Sequence, residues 1–170
     1  MSSETNSPVQ AKNREMVDGK PRERFFVPEI RGVTPLSHPP AGALSIRVYY
    51  EDTDFSARVY HASYLRFLER GRTEWLRERG FAYRDFAENS GVFFAVRSLQ
   101  INYLAPALMD DMLSVETGVS AVRGASIEFR QRIVRGEKEL VSARVLVAVI
   151  RDGRPTRIPA SLHRLLTGSA

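Results

Sequence analysis

Residues 63–79 read Ser63-Tyr64-Leu65-Arg66-Phe67-Leu68-Glu69-Arg70-Gly71-Arg72-Thr73-Glu74-Trp75-Leu76-Arg77-Glu78-Arg79, and the fold turns on this stretch. Tyr64, Leu68, Gly71 and Trp75 recur at helical spacing, and Phe67 and Leu76 widen the stripe. Arg66, Glu69, Arg70, Arg72, Thr73, Glu74, Arg77 and Glu78 fill the opposite side, as in an amphipathic helix. Ser63 is placed to cap its start, and Gly80 to stop it. Gly71 falls on the apolar stripe, where a glycine costs about 1 kcal/mol against alanine. Its presence predicts the close approach of another backbone. One broad apolar face needs a cover, and the flanking sequence supplies one.

Upstream, Ile46-Arg47-Val48-Tyr49-Tyr50 reads as a first strand, and residues 51–59 as a polar loop. Downstream, Asn89-Ser90-Gly91 breaks the chain before four strand-like runs. Residues 92–103 are long and apolar. Leu113, Val115, Thr117 and Val119 alternate with polar residues or glycine, as do Ile127, Phe129, Gln131 and Ile133. Turns fall at Arg123-Gly124 and Arg135-Gly136-Glu137-Lys138. Residues 140–150 are apolar on both faces, as in a strand with neighbours on each side, and Asp152-Gly153 ends them. One strand, one helix and four hairpin-linked strands make an α+β domain. Its expected form is a hotdog: a long helix wrapped by a mostly antiparallel five-stranded sheet over residues 44–165. No internal repeat is visible.

Residues 1–43 differ in kind. Six of the nine prolines lie there, and charges of both signs alternate without an apolar period. Such a segment cannot bury enough surface to offset its ordering entropy, so a disordered tail is expected. Phe25, Phe26 and Val27 are its apolar exception. Across the whole chain, hydrophobic residues make up 43% and charged residues 26%, an ordinary globular balance. The absence of cysteine excludes disulfides, thiolate metal sites and cysteine nucleophiles. With only His38, His61 and His163, no histidine-rich metal centre is expected. The net charge of +5 favours anionic partners. The basic residues lack aromatic interleaving, which argues against nucleic acid. No apolar run is long enough to span a membrane, and no secretory or transit signal opens the chain, so a cytoplasmic place is expected.

The loop before the helix concentrates ionisable groups: Tyr50, Glu51, Asp52, Asp54, Arg58, Tyr60 and His61. A thioester needs a carboxylate to activate water or to attack, and N–H donors for its oxyanion. Asp54 precedes a helix N-terminus that carries such donors. Amides near Tyr60 and His61 would polarise the carbonyl, with Tyr50 and His61 positioning the reacting groups. The competing reading is structural. Asp52 or Asp54 caps a turn or the helix, Glu51 is solvated, and His61 is a satisfied structural histidine. Arg123, Arg130, Arg132, Arg135 and Lys138 gather at two hairpins. Arg123 and Arg130 would meet the phosphates of a CoA or a carrier-protein arm, against a plain solvated face. There is no G-x-S-x-G elbow, P-loop or dinucleotide fingerprint.

The run Val48-Tyr49-Tyr50-Glu51-Asp52-Thr53-Asp54, then Val59-Tyr60-His61-Ala62-Ser63-Tyr64, closely resembles the YbgC branch of the 4-hydroxybenzoyl-CoA thioesterase family. Phe67 to Glu74, Tyr103-Leu104-Ala105-Pro106-Ala107 and Arg123-Gly124-Ala125-Ser126 extend the likeness over residues 44 to 160. The resemblance implies a hotdog dimer, or dimer of dimers, with its site at the subunit interface. Asp54 would be the catalytic aspartate and Tyr50 and His61 its companions. It implies acyl-CoA or acyl-carrier-protein substrates and no metal or organic cofactor. It also implies an association with the Tol-Pal cell-envelope system and phospholipid-synthesis enzymes at the inner membrane. The stretch Phe55-Ser56-Ala57-Arg58 departs from the pattern. Ala57 stands where glycine is usual, with Arg58 adding charge beside it, and Phe55 would line or narrow the acyl pocket. Two other functions remain: a carrier-protein dehydratase on the same fold, and a non-catalytic module that docks carrier protein or lipid enzymes.

Overall fold

A computed structural model describes residues 43–168. The expected tail, with Phe25, Phe26 and Val27, lies outside them up to residue 42. The described chain runs β1 (Leu44–Arg47), a 3₁₀ turn (Tyr50–Asp52), α1 (Ser63–Arg77), α2 (Tyr83–Ser90), β2 (Val92–Tyr103), β3 (Met112–Arg123), β4 (Ser126–Arg135), β5 (Lys138–Arg151), β6 (Arg154–Pro155) and α3 (Ala160–Thr167).

The main sheet has the order β1-β3-β4-β5-β2, with the two-residue β6 added to β5. Every pairing is antiparallel. β5 lies between β4 and β2, so both of its edges are paired, and its residues are buried or half-buried from Glu139 to Ile150. Ile127, Phe129, Gln131 and Ile133 of β4 are buried under α1, while alternate residues face away. Phe67, Leu68 and Tyr64 of α1 pack with Val48, Leu113, Val115 and Ile133 in one core cluster. Trp75 and Leu76 pack with Ile127, Phe129, Val145 and Leu162 in a second.

Gly71 lets helix and sheet meet. A Cβ built there would lie 2.6 Å from Val115 Cγ1 and 3.1 Å from Thr117 Oγ1. The helix ends as its glycine predicts. Phe81 N–H donates to Leu76 O (3.0 Å) and Gly80 N–H to Arg77 O (2.8 Å), with Gly80 at φ +81°.

Three expectations change. The first strand stops at Arg47 because Tyr50–Asp52 winds into a 3₁₀ turn, closed by Tyr49 N–H donating to Asp52 Oδ2 at 3.0 Å. Ala62, not Ser63, is the cap residue of α1, and the Ser63 hydroxyl instead accepts from Arg66 at 3.0 Å. Helices α2 and α3 were not foreseen. Each has eight residues, too few for a helical period to stand out, and α3 is held by burying Leu162 and Leu166. No helix among the described residues is long and apolar enough to cross a membrane.

Candidate active site

The segment from Thr53 to Val59 is a tight loop whose ends pair as an isolated bridge. Asp54 N–H donates to Arg58 O (3.0 Å), and Ala57 N–H donates to Asp54 O (2.9 Å). The turn forces Ala57 to φ +56°, the left-handed region in which a Cβ is unfavourable. Behind the loop, Val59 N–H donates to Ala107 O (2.9 Å), and Ala107 N–H donates to the buried Tyr64 hydroxyl (2.9 Å). A second bridge joins Arg58 to Leu108. Residues 105–109 therefore brace the loop against the core.

Asp54 sits on this frame exposed to solvent. Its Oδ1 accepts two hydrogen bonds from one residue, the Ser56 amide (2.8 Å) and the Ser56 hydroxyl (2.6 Å). Together they hold the carboxyl below its ordinary value. The hydroxyl contributes most, then the amide; slight desolvation opposes them, and the charges of His61 and Arg58 add smaller lowering effects. Asp54 is thus a carboxylate at neutral pH. It lines a broad concavity of about 540 Å³ with Tyr50, Thr53, Phe55, Ala57 and Met109. Phe55 and Tyr50 are exposed to solvent on its rim.

His61 lies among aromatic rings. Its ring centroid is 4.3 Å from Tyr60 and 6.4 Å from Tyr103, whose hydroxyl donates to His61 O at 3.1 Å. The backbone donors divide differently from expectation. Tyr60 N–H is taken by Asp52 O at 2.8 Å, which leaves it unable to polarise a carbonyl. The amide of His61 has no acceptor among the described residues. Asp52 is buried and serves as the turn's cap, while Glu51 is exposed.

The structure gathers Tyr50, Asp54 and Phe55 at one concavity, with His61 close enough to bias Asp54's charge. It does not bring Arg123 or Arg130 there. Met109 leads into the start of β3 at Met112, whereas Arg123 is eleven residues along that strand, about 36 Å away. Arg130 pairs with Gly118 midway along the same strand, and its buried Nε has no partner among the described residues. A separate cavity of about 180 Å³ lies between α1, α2 and the sheet, lined by Arg72, Leu76, Tyr83, Phe94 and Phe129 among others. It shares no lining residue with the Asp54 site. Sequence reading missed Ser56, Thr53 and Met109. The Asp-x-Ser spacing is a local turn signature and could have revealed Ser56. Met109 arrives from 55 residues away and left no local signal.

No group of three or more acidic or histidine side chains among the described residues could hold a metal ion. The Thioesterase-like superfamily profile matches residues 48–166, which include the Asp54 loop and all three α-helices almost to their ends. The chain belongs to that superfamily. Among the family's curated members, the acyl-CoA thioesterase YbgC of Haemophilus influenzae is 44% identical over 126 residues, which is 71% of this chain and 93% of the relative. The acyl-CoA thioester hydrolase YbgC of Escherichia coli O157:H7 is 42% identical over 120 residues, covering 69% and 89%. The crystal structure of a probable thioesterase from Bartonella henselae superposes with a TM-score of 0.66 at 44% identity, covering 69% of this chain and 98% of the other. The hotdog fold expected from the strand and helix pattern is therefore the fold of this family.

Proposed function

We propose that this chain hydrolyses acyl-CoA thioesters, with Asp54 as the base that activates water. The observation that carries the proposal is an ionised, solvent-open carboxylate held in a fixed turn beside the entrance to α1. The YbgC relatives, named as acyl-CoA thioesterases, support the substrate class. In this reaction the water oxygen attacks the thioester carbonyl carbon while Asp54 takes a water proton. The free amide of His61, rather than that of Tyr60, faces the developing oxyanion. The C–S bond then breaks, and the thiolate leaves and is protonated, giving free acid and thiol. Tyr50 and His61 flank the reacting groups, and Phe55 meets the acyl chain at the rim. In the covalent variant Asp54 itself attacks, forming an anhydride that water opens.

Acyl carrier protein presents the same thioester on the same phosphopantetheine arm and belongs to the same proposal as a second donor. Self-association belongs to it as well. Among the described residues β2 is an edge strand of twelve residues, paired on one side only, with Phe93 and Val96 more than half exposed. Such an edge is a template for a second copy. A cytoplasmic place, with contact to the inner membrane and the Tol-Pal system, follows the family likeness.

The test is free-thiol release from short, long and aromatic acyl-CoAs by wild type and Asp54→Asn. We expect kcat of the variant to fall about 10²- to 10⁴-fold, the usual contribution of a positioned base. Full turnover by a folded Asp54→Asn protein would refute the assignment.

A further inference from the structure

The two hydrogen bonds on Asp54 Oδ1 come from one side chain and its own amide, and they divide the carboxylate's two oxygens between different tasks. We infer that Ser56 is a positioning residue for the thioesterase reaction: it holds one oxygen of Asp54 in the turn and leaves Oδ2 alone to meet water or the thioester. The inference rests on the reading of Asp54 as the base.

The geometry is specific to this loop. Ser56 is itself fixed, because Arg58 Nη1 donates to Ser56 O at 2.9 Å and the Ala57 turn closes behind it. The carboxylate cannot rotate without breaking a 2.6 Å and a 2.8 Å bond together. An exposed aspartate with free rotation would lose orientational entropy at each turnover. Here that ordering is complete in the folded chain before substrate arrives.

A hydroxyl donating to a carboxylate also favours its ionised form. The other charged or titratable groups that face Asp54 are His61 and Arg58, with Tyr50 on the same concavity. His61 and Arg58 act in the same direction as Ser56 but contribute less. Ser56 therefore makes the base weaker but keeps it charged and aimed to lower pH.

The experiment compares wild type with Ser56→Ala and Ser56→Thr. Two quantities are read: kcat/KM against pH on an acyl-CoA, and the Asp54 carboxyl-carbon titration by NMR. Circular dichroism checks that each variant is folded. Ser56→Ala keeps the backbone donor and removes only the hydroxyl. We expect its Asp54 titration and the acid limb of kcat/KM to move upward together, with kcat lowered and KM little changed. Ser56→Thr restores the hydroxyl and is expected to restore both.

A role confined to loop stability would lower activity at every pH without moving the limb, and that outcome overturns the proposal. An Asp54 titration unchanged in Ser56→Ala overturns it as well. If the titration moves while the rate limb stays, Ser56 holds Asp54 but does not serve the reaction, so the proposal falls. The same protein set with Asp54→Asn tells whether the assignment of the base has fallen with it.

Discussion

Asp54, Ser56 and Ala57 occupy four consecutive positions with Phe55, and their roles pull against one another. The turn that aims the carboxylate needs a left-handed residue, and the chain supplies alanine at φ +56°. A non-glycine residue in that region costs about 1–2 kcal/mol, while glycine adds roughly 0.4–1 kcal/mol of chain entropy to the unfolded state. Ala57→Gly is therefore expected to leave the fold intact and to raise stability by up to about 1 kcal/mol, read as a small rise in Tm. The pH dependence follows from the same loop. The carboxyl of Asp54 is lowered, so it stays ionised as pH falls through the range where an ordinary aspartate is protonated. Activity is expected to hold through the range where an ordinary aspartate is protonated and to fall only below it. A pH–rate profile losing half its activity near neutrality on the acid side would contradict this. The linked stability has the same sign: it is present above the unfolded value and lost as pH falls through the lowered folded one.

Among the elements, α1 and the strands beneath it have the least room. Gly71 has Val115 Cγ1 within 2.6 Å of where a Cβ would stand. A β-branched side chain there has to displace Val115, Thr117 or Gln131. Gly71→Val is expected to cost about 1–3 kcal/mol, measured by denaturant unfolding. Beside it, Gln131 is buried and fully committed. Its Nε2 donates to Leu68 O and to Thr117 Oγ1, both at 2.8 Å, and its Oε1 accepts from Arg72 Nη1 at 2.8 Å. Burial pushes the Arg72 guanidinium down from its usual value, and no carboxylate among the described residues forms an ion pair with it. Gln131→Ala removes the side-chain acceptor of that half-buried cation and the donor to Thr117 Oγ1, and is expected to cost about 1–3 kcal/mol in the same measurement. The glutamine looked like an ordinary alternation position in the sequence. Only the sheet's register under α1 gives it three partners.

At the scale of the whole molecule, the sheet ends differently on its two sides. β1 is short, four residues, and leaves little edge. β2 is three times as long and carries Phe93 and Val96 outward. Sedimentation is expected to show a species at least twice the chain mass of 19.2 kDa. Phe93→Glu combined with Val96→Glu is expected to shift it toward the monomer, because charge on a free edge opposes pairing. A monomer at micromolar concentration in the unaltered protein would remove self-association from the proposal.

Much of this was legible in residues 44–165. The period of 3.6 from Tyr64 to Leu76 and the alternation in 113–133 specify helix and strands locally, since each pattern buries one face whatever lies beyond it. The loop bearing Asp54 and His61 stood out by its concentration of ionisable groups, and the Gly71 contact by a glycine on an apolar stripe. Other features depend on who meets whom across the fold. The 3₁₀ turn replaces the end of the first strand because Asp52 closes on Tyr49. The Tyr60 amide is spent on Asp52, and Met109 reaches the Asp54 concavity from a distant segment. Arg123 is kept away from it by the length of β3. Local patterns set which face of an element is buried. Partners far apart in the chain are chosen only when the sheet closes over the helix, because register and loop bracing are properties of the assembled core.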